Sequence, residues 1–196
     1  MTSPPIAVAI TGGIGAGKSE ALRAFGRHGA ATVSSDEIVH HLLLRPEVRE
    51  AVVGRMGNGI VAPHGEIDRG ALATVVFNDR DALDWLEQLL HPLVSAEYLT
   101  WRDRLAALDH PPKVCVTEVP LLYEVGGESR FDKVVVITAP AKLRRARSQV
   151  ATEDREARLV DDREKVARAD YSFRNTGSLE ELDAFVASVM EDLTRP

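Results

Sequence analysis

The chain has 196 residues, enough for one well-buried domain with an inserted subdomain, and its 44% hydrophobic and 28% charged content is that of an ordinary globular protein. A net charge of −6 argues against a polyanion such as nucleic acid as the main partner, and no apolar stretch approaches the roughly 20 residues of a membrane span. The single cysteine, Cys115, lies in an apolar run and reads as an inert core thiol in a reducing compartment; with a start, Met1-Thr-Ser-Pro-Pro-Ile6, that lacks the charged and apolar regions of a signal peptide, the expected location is the cytoplasm.

Ile6–Thr11 is an apolar run of strand length. Gly12 to Ser19 follows as G-G-I-G-A-G-K-S, a complete phosphate-binding loop of the form G-x-x-x-x-G-K-[ST]. Glycines let such a loop coil so that several backbone N–H groups point inward at phosphate oxygens. Lys18 would reach the β- and γ-phosphates, and the Ser19 hydroxyl would sit on Mg²⁺. Helix formers from Glu20 to Arg27, with Leu22 and Phe25 three apart, complete the order strand, loop, helix, which puts phosphates at a helix N-terminus. This segment predicts a nucleoside triphosphate site.

A second strand is expected at Ala31–Val33, and Asp36 follows it. That aspartate would project from the carboxyl end of the sheet, on the side of the phosphate loop, where a carboxylate can take a hydroxyl proton. It would serve equally well as a helix N-cap ahead of Glu37-Ile38-Val39. A long stretch without a convincing strand comes next: Asp36–Leu44, a predicted helix over Pro46–Met56, a turn-rich stretch at Gly57–Gly65, a helix N-capped by Asp68 and running towards Phe77, and largely helical sequence from Asp81 to Leu108 around His91-Pro92. Strand-like runs return at Lys113–Val119 and Lys133–Thr138, with a weaker one at Tyr171–Arg174. Alternation of strands and helices predicts an α/β fold with a parallel sheet covered on both faces, interrupted after its second strand by a helical substrate-holding subdomain. Arg144–Arg168 is dense in both charge signs, which fits either a solvated helix face or a lid whose arginines meet phosphate.

Several motifs, in order along nearly the whole chain, resemble the dephospho-CoA kinase family. They are T-G-G-I-G-A-G-K-S (Thr11–Ser19), the strand end Val33-Ser-Ser-Asp36, G-E-I-D-R (Gly65–Arg69) with Phe77, L-H-P-L (Leu90–Leu93) and E-V-P-L-L-Y-E (Glu118–Glu124). Further on stand A-K-L-R-R (Ala141–Arg145), E-K-x-x-R-A-D-Y (Glu164–Tyr171) and N-x-G-S-L-E-E-L (Asn175–Leu182). The phosphate loop alone indicates an NTPase or kinase; the H-P and P-L-L-x-E elements are much more specific.

The resemblance implies a three-layer P-loop NTPase fold of nucleoside-monophosphate-kinase type, with a five-stranded parallel sheet, a helical substrate-binding insertion over 37–111 and a lid over 141–168. The core would comprise 1–36, 112–140 and 169–196. It implies transfer of the ATP γ-phosphoryl group, with Mg²⁺, to the ribose 3′-hydroxyl of dephospho-CoA. ATP and dephospho-CoA would be the partners, without nucleic acid or membrane, and the protein a monomer or weak homo-oligomer. Lys18, Asp36 as base and Arg145 would be catalytic. ATP would meet Gly13, Gly15, Ala16, Gly17, Lys18, Ser19, Glu20, Arg145 and Asn175. The acceptor would meet Thr11, Asp36, Arg69, Phe77, His91, Pro92, Leu121, Leu122 and Glu124, and the metal Ser19 and, through water, Glu118. A carboxylate at a strand end can equally be structural, and a lone His91 reads most simply as a satisfied histidine at a proline-bounded helix break.

The chain departs from the family at several points. Ser34 stands where an earlier aspartate is usual, Glu118 where many relatives carry Asp, Leu159 where a glutamine is common, and Arg174 for the usual aspartate, so that base contact would fall to backbone groups and Asn175. The lid is short after Arg145, which leaves Arg147, Arg155 and Arg158 as further candidates for ATP phosphate. Glu20 replaces a hydroxyl, and its carboxylate would repel the α-phosphate unless it turns to solvent. The phosphate loop alone would also suit a nucleoside monophosphate kinase or a nucleotide-binding switch.

Overall fold

Five strands, all parallel, form the sheet, in the order β2-β3-β1-β4-β5: β1 (Ile6–Thr11), β2 (Ala31–Ser34), β3 (Val114–Glu118), β4 (Lys133–Thr138) and β5 (Tyr171–Arg174). The computed structural model describes residues 4–147 and 160–195. The three inner strands are buried on both faces, so they read as unbroken apolar runs. The edge strands β2 and β5 are only partly buried, which is why their sequence signal is weaker. Register brings Ile10, Glu118 and Ser34 level at the carboxyl end of the sheet.

Alternation along the strands divides the core. Val8, Ile10, Val114, Val116, Val135 and Ile137 face α1 (Lys18–Arg27) and the C-terminal helix, Leu179–Thr194, which supplies Leu182, Val186 and Val189. Ala9, Val134 and Val136 face the other way, onto Leu122 and Tyr123 from the loop after β3. Cys115 is buried in β3, and burial pushes its thiol up to about 11, so it is inert at neutral pH.

The chain divides into two compact units, residues 1–35 with 102–196, and residues 36–101. The second is helical. It contains nearly all of α2 (Ser35–Leu43), then α3 (Pro46–Met56), α4 (Arg69–Asn78) and most of α5 (Arg80–Ala106). Ile38, Leu42, Val52, Ile60, Leu72 and Leu86 are among its buried apolar residues. Asp68 caps α4 as expected, its Oδ1 accepting from the N–H groups of Gly70 and Ala71 at 2.8 and 3.0 Å. The expected turn region holds a short 3₁₀ turn at Asn58–Ile60 and an antiparallel bridge between Val61 and Ile67.

Pro92 lies inside α5, which continues through it; the helix break expected at His91-Pro92 is absent. Its ring removes one N–H from the helix ladder, and the flanking turns of this long helix carry it past the lost bond. Two short helices, α6 (Ala141–Arg147) and α7 (Asp162–Arg168), flank the undescribed residues, and α8 is the C-terminal helix. No helix among the described residues is long and apolar enough to cross a membrane.

Candidate active site

The phosphate loop leaves the carboxyl end of β1 and enters α1. Gly12 has φ 142°, and a Cβ there would stand 1.9 Å from the Ile137 carbonyl oxygen, so no other residue fits. Gly17 caps α1 at φ 101°, in the left-handed region. Between them the chain turns tightly, with the Ala16 N–H donating to Gly13 O at 3.2 Å. Lys18 folds back along the loop, its Nζ donating to the same carbonyl at 3.0 Å, and is 9% exposed. An ammonium held there stands where the lysine of a phosphate-binding loop is expected.

Ser19, in the first turn of α1, donates its hydroxyl to Glu118 Oε1 at 3.3 Å. Glu118 ends β3 and is buried. A hydroxyl paired with a carboxylate beside a phosphate loop is a group of hard oxygens that could hold a hydrated divalent cation. Among the described residues no cluster of three or more His, Cys, Asp or Glu competes as a metal cage.

Asn175 is tied into the phosphate loop. It is 4% exposed, its Nδ2 donates to Ala16 O at 2.9 Å, and its Oδ1 accepts from the Gly177 N–H at 3.0 Å. Its side chain thereby ties the phosphate loop to the turn after β5. An open pocket of about 230 Å³ lies beside this turn, lined by Gly17, Glu20, Arg147, Asn175, Gly177 and Leu179. Glu20 reaches along α1, pairing with Arg23 at 2.8 Å and Arg27 at 3.1 Å. The hydrogen bond from Arg23, with help from Arg27, holds its carboxyl below the usual value.

The arginine that meets the loop is Arg144. A Cβ on Gly13 would stand 2.5 Å from Arg144 Nη1, and one on Gly15 would stand 2.8 Å from Arg144 O. Arg147 approaches Gly17 and Gly177, while Arg145 is exposed. Helical geometry explains this: Arg144 and Arg147, three apart, share a face of α6, and Arg145 is turned away by about 100°. Spacing alone could have indicated it. Arg155, Arg158 and Leu159 lie outside the described residues.

Residues expected on the acceptor side divide between the two units. In the first, Thr11 is wholly buried and its hydroxyl donates to Pro120 O at 3.4 Å, Leu122 is a core residue, and Leu121 is half-buried. Glu124 turns inward, pairing with Lys165 at 2.8 Å and accepting from the Val160 N–H at 2.9 Å. In the helical unit, Asp36 is exposed and lies within the first turn of α2, which begins at Ser35, so it is not the cap residue. Arg69 opens α4 and is exposed, and Phe77 near its end is 50% exposed. His91 and Pro92 are exposed on α5.

The family model of dephospho-CoA kinase matches residues 6–181. The chain belongs to the dephospho-CoA kinase family. It is 37% identical over 187 residues to the dephospho-CoA kinase of Symbiobacterium thermophilum, covering 91% of this chain and 77% of that protein. The structure of dephospho-CoA kinase from Campylobacter jejuni superposes with a TM-score of 0.69 at 27% identity, covering 97% of this chain and 98% of that one. Shikimate kinase from Aquifex aeolicus, at 15% identity and a TM-score of 0.52 over 95% of this chain and 97% of that one, shares the fold alone.

Family membership makes the protein a kinase on a P-loop scaffold, acting in coenzyme A synthesis. The loop, the buried Lys18 and the Ser19–Glu118 pair are the parts such a kinase needs on the donor side.

Proposed function

We propose that this chain transfers the γ-phosphoryl group of ATP to the ribose 3′-hydroxyl of dephospho-CoA, as a cytoplasmic enzyme, with the donor held at Gly12–Ser19. Phosphoryl transfer asks little covalent chemistry of a protein, so positioning and charge stabilisation carry the rate. Lys18 and the loop amides neutralise the β- and γ-oxygens. Ser19, with Glu118 acting through water, would hold Mg²⁺, which when bound would supply positive charge against the donor phosphates. Asp36, two residues beyond the end of β2, takes or orients the proton of the attacking hydroxyl. Arg69, Phe77 and His91, exposed on the helical unit, receive the acceptor. Backbone groups around Gly177, not the Asn175 side chain, contact the adenine.

The observation that carries this reading is the Ser19–Glu118 contact at 3.3 Å beside a Lys18 already folded across the loop. A coupled assay of ADP release tests it. Release that depends on dephospho-CoA, and that is abolished in folded Lys18→Ala, supports the assignment. ATP binding without acceptor-dependent turnover refutes it.

A further inference from the structure

Lys165 is fully withdrawn from water, and no other charged side chain among the described residues is buried as deeply. Burying an ammonium is costly unless it is paired, and a well-packed apolar pair of similar volume would often serve stability as well. Its partner is Glu124, Nζ to Oε1 at 2.8 Å, on a carboxylate that is itself only 12% exposed. The same oxygen accepts from the Val160 N–H at 2.9 Å, just before α7. Further along α7, Arg168 pairs with Glu128 and lies 4.3 Å from the centre of the Tyr123 ring. Two ion pairs and one ring contact therefore fix α7 on the loop that follows β3.

The N-terminal turn of α7 carries Asp162, three residues before Lys165 and on the same face. Asp162 Oδ2 lies 3.9 Å from Arg144 Nη1. Arg144 in turn covers Gly13 and Gly15, at the end of the loop where Lys18 sits. The contacts are continuous: Glu124, Lys165, α7, Asp162, Arg144, phosphate loop.

We propose that Lys165 is a positioning residue that acts through Glu124 and Asp162 to set the Arg144 guanidinium where the γ-phosphate of the donor binds. The loop after β3 and the phosphate loop are thereby held in register through α7. The inference rests on the reading of Gly12–Ser19 as the ATP site, but it does not depend on the identity of the acceptor.

A binding cycle tests it without turnover. Calorimetric titrations with a non-hydrolysable ATP analogue and with ADP, both with Mg²⁺, are compared for the wild type, R144A, the neutral pair E124Q/K165M, and the three changes combined. The γ-phosphoryl group is the main difference between the ligands, so a general loosening of the loop would weaken both to a similar degree. The expected result is a loss of about fivefold for the ATP analogue and less than about twofold for ADP in R144A and in the neutral pair. The combined variant should be no weaker than R144A alone. Equal losses for the two nucleotides, wild-type affinities in a folded neutral pair, or losses that multiply with R144A would overturn the proposal. If the neutral pair does not fold, K165R, which keeps the charge at a different reach, enters the same cycle under the same criteria. Binding of neither nucleotide by the wild type overturns both this inference and the ATP reading, whereas γ-selective binding without phosphorylation of dephospho-CoA overturns only the proposed reaction.

Discussion

Ser19 and Glu118, 99 residues apart in sequence, meet through a hydrogen bond of 3.3 Å from hydroxyl to carboxylate. The contact exists because β3 lies directly beside β1, with Glu118 level with Ile10, so the end of one strand faces the helix that follows the other. Replacing Glu118 with Ala removes the carboxylate that accepts from this hydroxyl and that, on the proposed reading, would orient the metal's water shell. The expected result is a loss of about 10- to 100-fold in kcat and a raised Mg²⁺ concentration for half-maximal rate, with Glu118→Asp retaining most activity. A Mg²⁺ titration of each variant checks this. An unchanged metal requirement in the alanine variant would make Glu118 a structural carboxylate.

Asp36→Asn separates chemistry from binding. The asparagine keeps the size and exposure of a residue in the first turn of α2 but cannot accept a proton. Turnover should fall by about 10²- to 10⁴-fold while the affinity for ATP stays within about twofold. Near-normal kcat would remove Asp36 from the reaction.

Glu20 joins an ion-pair network with Arg23 and Arg27, and Arg27 continues it to Asp183 on α8, which also meets His28 at 3.0 Å. The Arg23 hydrogen bond lowers the Glu20 carboxyl, and the Arg27 hydrogen bond lowers that of Asp183. A carboxyl with a depressed folded-state pKa contributes stability above its unfolded value, and that contribution is lost as pH falls through the folded value. Glu20→Thr should therefore lower Tm by a few degrees at most at neutral pH, since exposed pairs contribute little. Its deficit should shrink below about pH 4 and in high salt. Activity should persist with a modestly lower KM for ATP. Thermal melts between pH 3 and 8, with initial rates at pH 7.5, measure all of these; a large loss of activity would give Glu20 a positive role at the nucleotide.

Legibility followed burial. β1, β3 and β4 carry mostly apolar runs because both faces are covered, and their sequence signal is strong; the half-covered edges β2 and β5 give fainter signals. Motif positions were legible too, but the partners of their side chains were not. Asn175 occupies a turn where a base contact is expected, yet nothing in its neighbours along the chain shows that Ala16, 159 residues away, takes its amide. Glu124 sits in the motif of the acceptor loop and is taken up by Lys165, on a helix that only the folded chain brings near. Motif position points to Arg145, whereas the turn of α6 brings Arg144 and Arg147 to the loop glycines. Long-range pairing is what sequence spacing does not encode.

Asn175 offers a sharp test of that distinction, because a base-reading side chain and a loop-tying one fail differently. Asn175→Ala leaves the Ala16 carbonyl and the Gly177 N–H without their partner at a site that is 4% exposed, at a cost of about 1–3 kcal/mol in stability. Asn175→Asp should be worse, since a carboxylate oxygen would then face the Ala16 carbonyl where an amide donates now. Both variants should weaken ATP and GTP by similar factors, as the loop that holds the phosphates loosens. A base contact would instead show as a changed ATP-to-GTP ratio at unchanged Tm. Thermal melts and affinities for the two nucleotides decide between these outcomes.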